Sequence, residues 1–126
     1  MNIPHLLKTK VIRNSDLYRI FISKIKSGPL DGGCWAMAVA LQKVIGKGSL
    51  YSIVSRGIAQ HIVLKVDSKY IDADGISTEK QLLHRWQRFE GLQNPYLRPF
   101  SIYDIPDSPR REILVNAVVN HLVAKG

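Results

Sequence analysis

Hydrophobic residues recur at helical spacing in the first third of the chain. The pattern over residues 17–25 predicts an amphipathic helix that ends at Gly28. Residues 34–45 are apolar on nearly every side, and Gly46 is a suitable left-handed terminator. We expect the second helix to be buried, because a helix without a polar face has to be covered by other elements.

After residue 48 the hydrophobic pattern changes to short runs rich in β-branched and aromatic residues. These runs predict strands at residues 49–55, 60–66 and 69–73. Turn residues separate them, first Arg56 with Gly57 and then Asp67 with Ser68. We expect three antiparallel strands, of which the last two form a hairpin.

A capping box marks the start of another helix. Thr78 is followed three places later by Gln81, and the helix that this pair opens includes Trp86 and Phe89 before Gly91 ends it. Both aromatic residues lie at a spacing that suits packing against the core. The arginines beside them are interpreted as a solvated face of the same helix.

The C-terminal third predicts an irregular segment and then a last helix. Residues 94–109 contain four prolines and are expected to be ordered by the packing of Tyr96, Phe100 and Tyr103. A final helix starting near Ser108 carries Leu114, Val118 and Leu122. Helices followed by antiparallel strands and further helices predict an α+β fold, with residues 1–126 forming a single domain.

Composition narrows the classes of protein that fit this chain of 126 residues. Its single cysteine allows no internal disulfide. No signal sequence and no run long enough to span a membrane is seen, so a soluble protein is expected. The formal charge of +8 favours an acidic partner, either an acidic protein surface or, as a weaker alternative, nucleic acid.

The cysteine occurs where a reactive thiol is expected. Cys34 opens the buried helix, and the unpaired N–H groups at a helix start favour a negatively charged sulfur. Gly33 lets a substrate approach closely, the backbone N–H of Cys34 can donate to an oxyanion, and Trp35 anchors the helix. The alternative is that Cys34 is a small buried hydrophobic residue, as many single cysteines are.

A histidine and two carboxylates on the predicted hairpin complete the candidate site. A tight turn pairs Val66 with Lys69, which places His61 opposite Asp74 and diagonal to Asp72. Either carboxylate can therefore reach the imidazole, and one residue of register decides which of them does. Such a carboxylate would orient the histidine as the base for the thiol.

Two segments of the sequence resemble the papain-like superfamily, which includes papain-type peptidases, transglutaminases, arylamine acetyltransferases and small bacterial papain-fold toxins and effectors. The segments are "GGCW" and "HIVLKVDSKYIDADG", and the resemblance covers about residues 28–76. It implies a papain-like fold in which a nucleophile helix packs on a small antiparallel sheet. It also implies that Cys34 is the nucleophile, His61 the general base and acid, and Asp72 the residue that orients His61, with Asp74 as the alternative acid.

The resemblance has departures that affect the expected reaction. The glutamine that papain-type peptidases place six residues before the cysteine is replaced here by Gly28. A second oxyanion donor must therefore come from the backbone or from Gln60. We expect acyl transfer without a cofactor, as an amide hydrolase, glutamine deamidase or transglutaminase-like enzyme, in the cytoplasm or delivered as an effector acting on a protein substrate.

Other classes of function fit the sequence less well. A metal site is not expected, because the cysteine and the histidines are scattered, and "DADG" is interpreted as a turn because it lacks the glutamate of a calcium loop. A nucleic-acid-binding module would use the basic and aromatic residues of segment 84–100. A papain-like adaptor without catalytic activity is the third alternative.

Overall fold

The computed structural model describes residues 33–101 and 111–125. Within these ranges the fold is α+β, with three helices and a five-stranded antiparallel sheet. The helices are α1 (Cys34–Ile45), α2 (Glu79–Glu90) and α3 (Arg111–Lys125), and the strands are β1 (Ser49–Ser55), β2 (Ile58–Val66), β3 (Lys69–Asp72), β4 (Gly75–Ser77) and β5 (Tyr96–Pro99). The predicted helix at residues 17–25 lies outside the described ranges, as does Tyr103.

Helix α1 spans the predicted residues and is largely buried, as its apolar composition indicated. It ends at Gly46, whose φ of 81° is the left-handed conformation that glycine adopts without strain. Its side chains pack against β2, β3 and α3, where they form the larger of the two hydrophobic clusters found among the described residues. This cluster includes Met37, Leu41, Val44, Leu64, Ile71, Leu114 and Leu122. Each fully buried aliphatic side chain of this kind contributes about 1.5–3 kcal/mol to folding.

The sheet has the strand order β4-β3-β2-β1-β5, so β2 lies at its centre. The β1–β2 hairpin turns at Arg56 and Gly57, both with positive φ, which is the backbone geometry of tight hairpins. The β2–β3 hairpin pairs Val66 with Lys69. The predicted antiparallel hairpin and its register are thus confirmed.

The structure corrects the prediction of only three strands. Segment 75–77 forms β4, which is too short for an alternating pattern to be visible in the sequence. Part of the segment expected to be irregular forms β5 on the outer edge of the sheet, where Pro99 is tolerated because an edge strand need not donate every N–H. Tyr96 is 48% exposed, so it does not anchor this segment as expected.

Helix α2 confirms the predicted capping box but not both predicted aromatic contacts. The Thr78 hydroxyl accepts the Gln81 N–H, and the Gln81 amide accepts the Thr78 N–H. Trp86 is buried in the second hydrophobic cluster, with Ile53, Val63, Tyr70 and Leu82. Phe89 is 72% exposed, and the prediction that it packs on the core is wrong, because its position on the helix faces away from that cluster.

Loss of the capping box is expected to weaken the attachment of α2. Thr78→Ala removes the acceptor at 3.2 Å from the Gln81 N–H and should lower the free energy of unfolding by about 1 kcal/mol. Urea denaturation measures this difference. Thr78→Ser keeps the hydroxyl and serves as the control, and equal stability of the alanine and serine variants would contradict the capping role.

The described part of the chain contains no helix that is both long enough and apolar enough to cross a membrane.

Candidate active site

Cys34 is the first residue of α1, and its side chain is half-buried. Gly33 is the N-cap residue and has no side chain with which to cap the first N–H groups, while its carbonyl accepts the Met37 N–H at 3.0 Å. The first turn of α1 contains no acidic residue. The positive end of the helix dipole is therefore available to a negative charge on the sulfur or on a bound substrate.

Trp35 and Gln60, which the sequence predicts to lie near the thiol, differ in their surroundings. Trp35 packs against the larger hydrophobic cluster, which confirms that it anchors the start of α1. Gln60 is exposed, and its amide group donates to the Ile58 carbonyl at 3.4 Å. In this conformation the Gln60 amide is directed to the protein backbone, so the backbone N–H of Cys34 is the better candidate for an oxyanion donor.

His61 lies on β2 and is almost completely buried, with 1% of its surface exposed. Its Nε2 atom is 3.0 Å from Oδ2 of Asp72 at the end of β3. The imidazole also stacks on Trp86 of α2, with 4.2 Å between ring centroids and 24° between ring planes. The carboxylate and the indole together fix the orientation of the imidazole.

Asp72, and not Asp74, contacts the histidine. Oδ1 of Asp72 accepts the backbone N–H of Asp74 at 2.8 Å, which locks the carboxylate in place. The Asp74 carboxylate is directed to Arg85, whose Nε lies 3.9 Å from its Oδ2. Of the two carboxylates left open by the sequence, the structure therefore brings only Asp72 into hydrogen-bond contact with His61.

The position of Asp74 follows from the way β3 ends. Asp72 pairs with Gly75, so the chain turns at Ala73 and Asp74 to form β4. The segment "DADG" is thus a turn, as predicted, and Asp74 leaves the ladder before it comes opposite His61. Asp72 reaches the imidazole diagonally, across one step of the antiparallel pair.

The surroundings of His61 favour its charged form. Burial alone would lower its pKa, but the hydrogen bond to Asp72 and the interaction with Cys34 outweigh burial and raise the pKa from the ordinary 6.5 to about 9. Nδ1 is buried and makes no hydrogen bond to any of the described groups. Since Asp72 occupies Nε2, Nδ1 is the nitrogen through which the imidazolium can serve the thiol or its substrate.

Two site residues on α2 were not identified from the sequence. Arg85 was interpreted as part of a solvated face, but its Nη2 lies 3.4 Å from Oδ2 of Asp72, and Trp86 was expected only to pack on the core. One signal was present: only six residues separate Asp72 from the start of α2, which keeps that helix beside the end of β3. A capping box so soon after the candidate acid indicates that α2 can contribute to the site.

Comparisons with known proteins add no further identification. No family model matches the chain, and no curated protein or solved structure matches it. Among the residues that the structure describes, no group of three or more His, Cys, Asp or Glu side chains could hold a metal ion. The geometry of Cys34, His61 and Asp72 is therefore the basis for assigning a function.

Proposed function

We propose that this protein is a papain-like thiol enzyme that transfers acyl groups through Cys34, His61 and Asp72. The observation that carries the proposal is the buried imidazole bonded to Asp72 through Nε2, whose raised pKa has the thiol at the start of α1 among its causes. A nucleophile, a base and a group that orients the base are the parts required for covalent catalysis by cysteine.

The first step forms a thioester on the enzyme. The Cys34 sulfur attacks the carbonyl carbon of an amide, and the electrons of the C=O double bond move to oxygen, where the backbone N–H of Cys34 and the positive end of α1 stabilise the charge. The electrons on oxygen then re-form the C=O bond as the C–N bond breaks, and the imidazolium of His61 gives its proton to the leaving nitrogen. Ammonia or an amine departs, and His61 is left neutral.

The second step releases the acyl group. A water molecule, or an amine in a transfer reaction, attacks the thioester carbon while neutral His61 accepts its proton. The C–S bond breaks, and the sulfur leaves as a thiolate beside the re-formed imidazolium. Asp72 stabilises that cation in both steps through its hydrogen bond to Nε2. Hydrolysis, glutamine deamidation and transfer to an amine share the first step and differ in the leaving group or the acceptor.

The substrate class follows from the charge of the chain. A formal net charge of +8 attracts an acidic surface over distances of about 10 Å at ordinary salt. An acidic protein is therefore the proposed substrate, and the resemblance to small bacterial papain-fold effectors suits action on a protein of another cell. Nucleic acid is the competing acidic partner, and it offers no amide bond in its backbone for a thiol enzyme to attack.

The proposal predicts rapid alkylation of Cys34 under mildly acidic conditions. At about pH 6 an ordinary thiol is almost entirely protonated and reacts slowly with iodoacetamide, whereas a thiol paired with an imidazolium reacts rapidly. Intact-mass spectrometry of the full chain counts the adducts, because Cys34 is the only cysteine. Labelling no faster than that of the same chain unfolded in urea at the same pH would contradict an activated thiol.

An acidic protein rich in glutamine, such as casein, distinguishes the reactions. Mass spectrometry of the treated casein separates cleavage fragments, conversion of glutamine to glutamate, and adducts with an added primary amine. The Cys34→Ala variant is the control for each product. If Cys34 is alkylated rapidly but casein gives no product, the substrate is not an acidic protein of this kind. If Cys34 is alkylated slowly, the result favours a papain-like adaptor without catalytic activity.

A further inference from the structure

Arg85 connects the candidate site to the β4 edge of the sheet. Its Nη2 lies 3.4 Å from Oδ2 of Asp72, and its Nη1 donates to the Ser77 hydroxyl at 3.0 Å. Its Nε lies 3.9 Å from Oδ2 of Asp74. The side chain of Arg85 is 28% exposed, while that of Asp72 is only 3% exposed. The guanidinium therefore spans the turn between β3 and β4: Nη1 and Nη2 are hydrogen-bonded, and Nε is buried beside the Asp74 carboxylate without a hydrogen bond of its own.

The Asp72 carboxylate is shared between two cations. Its Oδ2 atom faces both Nε2 of His61 at 3.0 Å and Nη2 of Arg85 at 3.4 Å. Both His61 and Arg85 interact with this oxygen, so the positive charge of Arg85 offsets part of the stabilisation that the carboxylate gives to the imidazolium. Without the positive charge of Arg85, Asp72 would hold the proton of His61 more strongly. A proton that is held more strongly is transferred less readily to a leaving group.

We propose that Arg85 is a positioning residue that fixes the Asp72 carboxylate and balances its charge, so that His61 can release its proton during catalysis. The proposal rests on the proposed function for its catalytic meaning, but the electrostatic part can be tested by itself. Among the described residues, the titratable groups that act on the imidazole are Cys34 from α1 and Asp72 from β3, and Arg85 acts on it from α2 through Asp72. Asp74 acts in turn through Arg85.

The experiment follows the ring of His61 directly. The nitrogen chemical shifts of the imidazole, recorded by NMR on the full chain between about pH 6 and pH 11, report the pH at which the ring loses its proton. In Arg85→Gln this pH should rise by about one unit relative to the wild type, because the carboxylate no longer has a competing cation. In Arg85→Lys, which keeps the charge, it should stay close to the wild-type value.

A matched control is available one turn along the same helix. Arg88 is exposed and its guanidinium lies over the Phe89 ring, so Arg88→Gln removes the same charge without touching Asp72. This variant should leave the titration of His61 unchanged. An unchanged or lowered titration in Arg85→Gln would overturn the proposal, as would an equal shift in Arg88→Gln.

A second neutral variant covers the case in which Arg85→Gln does not fold. Arg85→Met keeps the apolar stem of the side chain and should give the same upward shift. If both neutral variants failed to fold while Arg85→Lys folded, the ion pair would be purely structural and the proposal would be wrong. Slow alkylation of wild-type Cys34 would contradict the thiol enzyme instead, and the titration of His61 would still decide the role of Arg85.

Discussion

Replacing His61 with glutamine is expected to reduce the alkylation of Cys34 at about pH 6 by roughly 10- to 100-fold. At this pH an ordinary thiol with a pKa near 8.5 is only about 0.3% thiolate. Under the proposed function, the imidazolium of His61 pairs with the Cys34 thiolate that attacks the substrate, and glutamine carries no charge with which to do so. The same change should remove all turnover, since no base remains to deliver or accept the proton.

Glutamine is preferred to alanine because of the burial of His61. The ring is packed on Trp86 and bonded to Asp72, so an alanine would leave a cavity and an unpaired carboxylate. Glutamine can still donate an N–H to Asp72, and urea denaturation verifies that the fold is retained. The control is His84→Gln on the exposed face of α2. Equal alkylation rates in the wild type and in His61→Gln would refute the proposed pairing.

Local patterns were sufficient to predict the parts of the fold that carry Cys34 and His61. Helix α1 has a glycine at each end, and its apolar side chains on nearly every side predict that it is buried. The β2–β3 hairpin is specified by Asp67, which has a φ of 56°, and by β-branched residues on both sides. These features depend on neighbours in the sequence, so they can be read without knowledge of the tertiary structure.

The features that the sequence did not reveal depend on contacts between distant segments. Strand β5 has four residues and a proline, and only pairing with β1 makes it a strand. The contact between Arg85 and Asp72 spans 13 positions and joins a helix to a strand end. A surface arginine and one in an ion pair look alike in a sequence, because the difference lies in what the helix packs against.

The choice between Asp72 and Asp74 also depends on a feature that the sequence did not reveal, namely the turn between β3 and β4. Pairing Val66 with Lys69 was predicted correctly, and an extended hairpin would have brought Asp74 opposite His61. The chain instead reverses at Ala73 and Asp74, because β4 returns to pair with β3. A strand of three residues leaves too short a pattern to be predicted, yet it determines which acid meets the imidazole.

Asp72→Asn is expected to lower the pKa of His61 from about 9 to near or below its ordinary value of 6.5. Burial disfavours the imidazolium, and the Asp72 carboxylate is the main group that opposes this effect. The imidazole would then be neutral at neutral pH, and alkylation of Cys34 should slow to nearly the rate of the His61→Gln variant. NMR titration of the ring and intact-mass labelling measure the two effects.

The same substitution has a pH-dependent effect on stability. A histidine with a raised pKa in the folded state contributes stability that is fully present below about pH 6.5 and is lost as the pH rises through about 9. For a shift of this size the contribution is about 3 kcal/mol. The difference in free energy of unfolding between the wild type and Asp72→Asn should therefore be largest at about pH 6 and should shrink toward pH 10.

Asp74→Asn is the matched control for both measurements. It removes one carboxylate from the same turn, but that carboxylate faces Arg85 and not the imidazole. The Asp74 backbone N–H that fixes Asp72 is retained in this variant. We expect a change in the titration of His61 much smaller than in Asp72→Asn. If Asp74→Asn produced the larger loss of Cys34 reactivity, Asp72 would not be the residue that orients His61, and the carboxylate that supports the thiol would have to be reassigned.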